Sequence, residues 1–265
     1  AEGNSGYWIF AGLLDNVIYK VTPQKQVSVF MEKAGYTGND PEHVGTQTRS
    51  GRSHVLLIGP SCTGMDHQGR VIWCADNDRQ VKRLEKDGTQ TVLSSGMNGQ
   101  KFSGPNDIAI AGDDAVYVTD NDFGLRDGGK NPDKQLQNGI YRIKDGTTTL
   151  VLSGSDLGGI PNGIGLSPDG KWMYLSTANR TIRRYAVNAD GTIGTCTKCN
   201  ARHAASIELA RAPRTCGQCH MGPDHSQIEI YEDSKHGVLF ATQSEHFNMS
   251  VPSEKLTTKD MPVPT

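Results

Sequence analysis

A repeated pair of hairpin-like segments in the first 194 residues restricts the fold more than any other feature of the sequence. One half of the repeat reads as a strand, a turn rich in Asp, Asn or Gly, and usually a second strand. This half begins at Asp15, Arg79, Asn138 and Arg180. The other half precedes it and begins at Cys62, Pro105 and Pro161. Apolar and polar residues alternate in both halves, which is typical of strands with one face against a core.

Two hairpins per repeat make a four-stranded sheet, which is the blade of a β-propeller. A generic β-sandwich is the alternative, but it gives no reason for P-N-x-I to recur in register at residues 105–108 and 161–164. The abundance of glycine (31 residues) over phenylalanine (6 residues) also favours many short strands and turns rather than a helical bundle. The repeat therefore predicts a mainly β fold, an incomplete propeller of about four recognisable blades over residues 1–194.

Charge and hydropathy exclude two classes of function. The formal net charge of −2 and the absence of a basic run give nucleic-acid binding no electrostatic support. No stretch of 18 apolar residues is present, so we expect no membrane span. The sequence has no signal peptide, but a mature exported chain would have lost one, and we expect a periplasmic or secreted protein.

The two P-N-x-I copies carry a resemblance to a known family. The second copy is followed by SPDGKWMYLS, and a further stretch from Gly6 reads GYWIFAGLLDNVIYKVTPQKQVSVF. These segments resemble the lactone-hydrolysing β-propellers of the gluconolactonase and regucalcin (senescence-marker-protein) group. The resemblance implies a six-bladed fold and a small-molecule lactone or ester as substrate. It also implies a single divalent cation, usually calcium, in the central channel.

The same resemblance implies a set of site residues. Asn106 and Asn162 match the positions of the family's cation ligands, although an asparagine at such a place also commonly caps a turn. The family's glutamate ligand lies in an E-G-P segment, and its counterpart here is Glu2, where the proline is absent and the following spacer is shorter. The family's aspartate, the general base, belongs to a later blade. Asp120 is the substitute that we expect to approach the channel.

Four cysteines crowd into residues 196–219, and we place the domain boundary just before them, with a second domain over residues 195–265. Cys216, Cys219 and His220 form a C-x-x-C-H motif, the attachment site of c-type haem. In such a site both thiols form thioethers with the porphyrin and the histidine becomes the proximal iron ligand. The motif predicts a haem-binding tail, mostly helical and irregular.

The residues around this motif resemble the octahaem hydroxylamine oxidoreductase family, over CHMGPDHSQIEIYEDSKHG and the final LTTKDMPVPT. The resemblance implies that His203, His225 and His236 are axial haem ligands. The first cysteine pair, Cys196 and Cys199, is followed by asparagine where the family has histidine. The expected number of haem groups is therefore one, or two if that departure is tolerated.

Other arrangements of the cysteines stay open. The two C-x-x-C pairs are separated by sixteen residues, which fits a four-cysteine zinc module. Disulfides in an oxidising compartment are a further alternative. Cys62 and Cys74 flank one predicted hairpin and either pair or remain buried thiols. In the tail, the pattern predicts one short helix ended by Pro213 and another over residues 226–236.

Three functional hypotheses follow from the sequence. The first is a metal-dependent hydrolase of a lactone or related ester with a haem-binding tail. The second is an electron-transfer component, a c-type cytochrome of hydroxylamine-oxidoreductase type with a redox protein partner. The third is a non-catalytic fragment or fusion. In each case the open edge of a four-blade arc needs a cover, and we expect the tail or a second chain to provide it.

Overall fold

The computed structural model describes residues 2–3, 6–40, 44–49, 53–178, 182–197, 227–248 and 257. The chain divides into two units, residues 1–197 and 198–265. The first unit contains four antiparallel sheets of four strands, which follow one another along the chain. The mainly β fold with four blades is therefore confirmed.

Each blade takes its four strands in sequence order from one edge to the other. Blade 1 consists of β1 (Glu2–Gly3), β2 (Tyr7–Gly12), β3 (Val17–Val21) and β4 (Val27–Glu32). Blade 2 consists of β7 (Cys62–Met65), β8 (Val71–Ala75), β9 (Gln80–Leu84) and β10 (Gln90–Ser94). Blade 3 consists of β13 (Pro105–Ile110), β14 (Val116–Asp120), β15 (Gly139–Lys144) and β16 (Thr147–Ser153). Blade 4 consists of β17 (Pro161–Leu166), β18 (Trp172–Thr177), β19 (Ile182–Val187) and β20 (Ile193–Thr197).

Smaller elements connect the blades or belong to the tail. Two short hairpins pair β5 (Thr46–Arg49) with β6 (Ser53–Leu56) and β11 (Gly96–Met97) with β12 (Gln100–Lys101). The helices are α1 (Gly154–Leu157), α2 (Gln227–Glu232) and α3 (Lys235–Gln243). Short 3-10 turns cover Asp122–Gly124, Gly128–Lys130 and Ser244–His246. No helix among the described residues is long and apolar enough to cross a membrane.

The blades pack face to face, and the second strands of blades 2 and 3 have buried side chains on both of their faces. All five residues of β8 are buried, and so are all five of β14. In β8, Trp73 packs with the apolar residues of blade 1, whereas Ile72 packs with those of blade 3. In β14, Val118 packs with blade 2 and Tyr117 with blade 4. Alternate residues of one strand thus belong to two different cores.

The first and fourth blades each keep one face in contact with solvent. In blade 1, Trp8 and Phe10 are each 44% exposed, while Ile9 between them is buried against blade 2. In blade 4, Tyr174 is 38% exposed, while Leu175 is buried against blade 3. Both faces expose large apolar side chains of the kind that pack between blades. No further blade covers either face among the described residues. The expected cover by a second chain or by the tail stays a prediction.

Short polar turns join the strands of each hairpin. In the turn between β7 and β8, Asp66 Oδ1 accepts hydrogen bonds from the backbone N–H groups of Gln68 (3.0 Å) and Arg70 (2.9 Å). Gly69 in the same turn has a φ of 75°, in the left-handed region that glycine adopts without strain. An aspartate followed three residues later by a glycine, as at residues 66–69, therefore favours a hairpin turn.

Cys62 and Cys74 face each other across the first two strands of blade 2. They are paired in the β7–β8 register, and both are buried, free thiols. Burial raises the pKa of the Cys74 thiol well above its usual value, and a hydrogen bond with Cys62 acts in the same direction. Since the thiolate is the reactive form of cysteine, both features disfavour chemistry at Cys74 in the folded state.

The described part of the tail departs from the helix predicted over residues 226–236. Two helices are present there, and α3 starts after a break at Asp233 and Ser234. Ser234 begins α3 as its N-cap, since its hydroxyl accepts a hydrogen bond from the Gly237 N–H (3.1 Å). The single-helix prediction was wrong because a serine that caps a new helix was placed inside an existing one. The predicted helix that ends at Pro213 lies outside the described residues.

We expect Cys74 to resist alkylation in the native protein because it is fully buried and its pKa is raised. A short pulse of iodoacetamide followed by peptide mass mapping would measure the modified fraction at Cys62 and Cys74 separately from the tail cysteines. The same pulse in concentrated guanidinium should label both. Rapid native labelling of Cys74 would contradict the packing of blades 2 and 3 described above.

Candidate functional site

The two P-N-x-I copies occupy the same place in consecutive blades. Pro105 pairs with Asp120, the last residue of β14, and Pro161 pairs with Thr177, the last residue of β18. The register shifts directly after each proline, so that Asn106 and Asn162 both lie in β-bulges. A bulge redirects a side chain relative to a regular strand. Asn106 is partly buried and Asn162 is exposed.

A buried threonine links the two bulges. The Thr119 hydroxyl donates to the Asn162 backbone carbonyl (2.7 Å) and accepts from the Asp107 N–H (2.9 Å). The Asp107 carboxylate in turn accepts from the Ile164 N–H (2.9 Å). Asp107, the residue after Asn106, is therefore bonded to the strand that carries Asn162. The two asparagines lie in one region of the blades, at the start of β13 and of β17.

Glu2 is not brought to this region. It pairs with Trp8, the second residue of β2, whereas the prolines of the two bulges pair with the last residues of their second strands. The antiparallel register therefore places Glu2 toward the opposite end of its blade.

Asp120 lies at the expected end of its strand, but it is completely buried. Its two carboxylate oxygens accept hydrogen bonds from the N–H groups of Ser103 (3.0 and 2.9 Å) and Gly104 (2.8 Å). Burial raises the pKa of Asp120 to about 7, against the lowering effect of these two backbone bonds. The Asp120 carboxylate, which has no exposed surface, holds the loop before β13 in place.

A second buried acid, Asp76, directly follows the second strand of blade 2 and was not singled out from the sequence. It is 3% exposed, and its Oδ1 atom has no hydrogen-bond partner among the described residues. A Cβ on Gly104 or Gly124 would lie 2.4 or 2.5 Å from that oxygen, so both glycines are required for the close approach. Burial, and next the charge of Asp120, raise the pKa of Asp76 well above its usual value. The buried Asp76 carboxyl is therefore harder to ionise than an exposed one.

The signal that could have found Asp76 is a repeated tripeptide. Asp-Asn-Asp occurs at residues 76–78, directly after β8, and at residues 120–122, where its first residue is the last of β14. The middle residues tie loops together, since Asn77 Nδ2 donates to the Leu57 carbonyl and Asn121 Nδ2 to the Pro161 carbonyl (2.9 Å). The repeat therefore marks the loops at one end of the blades.

The oxygen donors in this region have the chemistry that a hard cation prefers. Asn106 and Asn162 each bring a carboxamide to one of the two bulges, and calcium binds carboxylate, carboxamide and carbonyl oxygens. Within the described ranges, no three side chains of His, Cys, Asp or Glu form a metal-binding group. The donor set thus fits an oxygen-ligated cation but not a site built from histidine and cysteine.

Most of the expected haem ligands lie outside the described residues. These are Cys199, His203, Cys216, Cys219, His220 and His225. Cys196 belongs to β20, where its backbone pairs with Tyr185 of β19, so the last strand of the propeller carries the first cysteine of the cluster. His236 is the second residue of α3, but its side chain is outside the described part.

The four consecutive four-stranded sheets and the paired bulges define a β protein built from propeller blades. Residues 9–208 match the family model described as SMP-30/gluconolactonase/LRE-like region, and the chain belongs to this family. The resemblance expected from the P-N-x-I copies is confirmed.

Two gluconolactonases illustrate the relationship. A gluconolactonase of Zymomonas mobilis is 30% identical over 195 residues, which is 71% of this chain and 51% of that protein. The chain therefore spans about half the length of this curated relative. A solved gluconolactonase from Xanthomonas campestris has a TM-score of 0.57 at 20% identity, with 74% of this chain and 60% of that chain covered. At this identity, the likeness shows the fold.

The tail matches a different group of proteins. Residues 172–265 match the family model described as seven times multi-haem cytochrome CxxCH. A probable nitrite reductase-hydroxylamine oxidoreductase fusion protein of Kuenenia stuttgartiensis is 48% identical over 48 residues, which is 18% of this chain and 6% of that protein. The resemblance of the tail to multihaem cytochromes is thus also confirmed.

Replacing Asp76 with asparagine should stabilise the protein at neutral pH. Between the ordinary carboxyl pKa of 3.8 and the raised pKa, the folded chain holds a proton that the unfolded chain has lost. Stability therefore falls as pH rises through this window, by up to about 1.4 kcal/mol per pH unit. Asp76→Asn cannot ionise, so its melting temperature should exceed that of the parent at pH 7, and the two should converge near pH 4.

A matched control comes from the same loop. Asp78 accepts hydrogen bonds from the Thr37 N–H (2.9 Å) and hydroxyl (3.0 Å) and pairs with Lys82 (2.6 Å). Asp78→Asn should therefore lower the melting temperature at pH 7. A lower melting temperature for both variants at pH 7 would contradict the raised pKa of Asp76.

Proposed function

We infer that the propeller is a cation-dependent hydrolase of a lactone or related ester. The observation that carries this proposal is the pair of bulges that present Asn106 and Asn162 at the same end of consecutive inner strands. Membership of the gluconolactonase family supports the same reaction class. Since the chain spans about half of its curated gluconolactonase relative, the activity of the whole protein is part of the proposal.

In this proposal the carboxamide oxygens of Asn106 and Asn162 hold the cation, and calcium suits such donors. A bound divalent cation supplies polarisation of the substrate carbonyl and a lowered pKa for a bound water. The bulges orient the two carboxamides, and the Thr119 hydroxyl holds the backbone of Asn162 in place. Asp120 takes the structural role that its burial supports, and Glu2 is left out of the ligand set because of its register with Trp8.

Substitution of both asparagines tests this function. Asn106→Ala and Asn162→Ala, singly and together, should lower calcium affinity and abolish calcium-dependent hydrolysis of gluconolactone, because each removes one ligand oxygen. Isothermal titration would give the affinity, and a pH-indicator assay with calcium or with chelator would give the rate. Asn188→Ala is the matched control, since Asn188 bonds only within its own turn, to Thr192 (2.9 Å). Hydrolysis that is equal in the double variant and the control would contradict the proposal.

A second candidate function, electron transfer, rests on the tail. The match of residues 172–265 to multi-haem cytochromes, together with the C-x-x-C-H motif at residues 216–220, supports a covalent haem c. In this proposal His220 is the proximal ligand, and a distal ligand comes from His236, His203 or another chain, because His225 is too near in sequence to reach the opposite face easily. A redox protein would be the partner. The same match supports a periplasmic or secreted location.

The haem content of the intact protein tests this second function. Expression with haem-maturation machinery should give one covalent haem by mass spectrometry, and Cys216→Ala with Cys219→Ala should remove it. Cys196→Ala with Cys199→Ala is the matched control and should keep it. Two haems in the parent would mean that Asn200 is tolerated after the first pair. No haem and one bound zinc would establish the four-cysteine zinc module and refute electron transfer.

A further inference from the structure

The Thr119 side chain bonds to the backbone at or next to both proposed ligands. Its hydroxyl donates to the Asn162 carbonyl and accepts from the Asp107 N–H, and the residue is completely buried. A hydroxyl carries one donor and can accept as well, so a single group satisfies both backbones. Burial removes competing water, which makes each of these bonds more costly to lose.

Asp107 adds a second connection between the same two strands. Its Oδ2 atom accepts from the Ile164 N–H (2.9 Å), and its Oδ1 atom accepts from the Ile108 N–H (2.9 Å). A Cβ on Gly163 would lie 3.6 Å from Oδ2, so the carboxylate lies against the bulge that contains Asn162. The Asp107 carboxylate thus bonds to the backbone of both β13 and β17.

We propose that Thr119 and Asp107 form an inter-blade clamp, which fixes the position of Asn162 relative to Asn106 and thereby sets the cation affinity of the site. The clamp rests on the proposed function, because it acts on the ligands named there. Both members are positioning residues: they hold the backbone of the two bulges and do not contact the substrate. Residues that orient metal ligands in this way typically contribute 10–100-fold to metal affinity.

The two bulges occupy the same position in their blades but have different hydrogen-bond partners. In blade 3, the Ser61 hydroxyl donates to the Pro105 carbonyl (2.9 Å). In blade 4, Asn121 donates to the Pro161 carbonyl (2.9 Å), one residue before the bond from Thr119. Each proline is thus held by a side chain from the preceding blade or its connecting loop. Only the second bulge is additionally bonded at its asparagine, within the described contacts.

The test separates the hydroxyl of Thr119 from its shape. Thr119→Val keeps the shape and removes both bonds, so calcium affinity should fall roughly tenfold or more by isothermal titration. Thr119→Ser keeps the hydroxyl and should return the affinity to near the parent value. Thr148→Val is the matched control, since Thr148 makes a hydroxyl contact between blades 2 and 3 with Ser94 (2.7 Å), on the outer strands. Its affinity should equal that of the parent.

Asp107→Asn gives an independent second variant, because the asparagine oxygen can still accept from the Ile164 N–H. Since the clamp acts through this bond, calcium affinity should stay near the parent value, and hydrogen exchange of the Ile164 amide, followed by mass spectrometry of its peptide, should stay slow. In Thr119→Val that peptide should exchange faster, with or without calcium. Unchanged affinity in Thr119→Val, together with a loss of affinity in Asn162→Ala, would overturn the clamp and leave the proposed function intact. A parent protein that binds no calcium would overturn both.

Discussion

The fold depends on sheets that pack on both faces through a single strand. Because side chains of a strand alternate between its two faces, β8 and β14 each contribute to two separate cores, and every one of their residues is buried. Trp73 shows how demanding this arrangement is: it is fully buried between blades 1 and 2, and its indole N–H donates to the Ala34 carbonyl (2.8 Å). The polar end of the ring thus finds a partner inside the interface.

This packing also determines where polar groups can gather. The inner strands of consecutive blades lie side by side, so the residues that begin them meet at one end, together with the loops that follow the second strands. Buried polar groups hold the loops there. The Asp120 carboxylate, for example, accepts hydrogen bonds from the N–H groups of Ser103 and Gly104. The region therefore combines rigid backbone with accessible carboxamides, which is the arrangement that a binding site requires.

The hairpins could be predicted from the sequence because their signals are local. Alternation over residues 105–120 and the turn at residues 111–115 lie within one segment, and β13 and β14 are found there. The position of Glu2 could not be predicted, because strand register depends on the neighbouring strand, which the spacing of a sequence motif does not show. The same limit applies to Asp120. Its place at the strand end was expected, but its burial results from the loop at residues 102–104, whose path no local pattern shows.

The exposed faces of blades 1 and 4 have an energetic consequence. Since the apolar cores among the described residues each join blades that are consecutive along the chain, the arc is close to a one-dimensional array, whose stability is a sum of intrinsic terms and nearest-neighbour terms. Blades 2 and 3 each share two interfaces, whereas blades 1 and 4 each share one among the described residues. Local opening should therefore begin at the two outer blades and reach the middle last. The proposed ligands sit in β13 and β17, one in a doubly supported blade and the other in a singly supported one, so loosening of blade 4 would uncouple them before blade 3 unfolds.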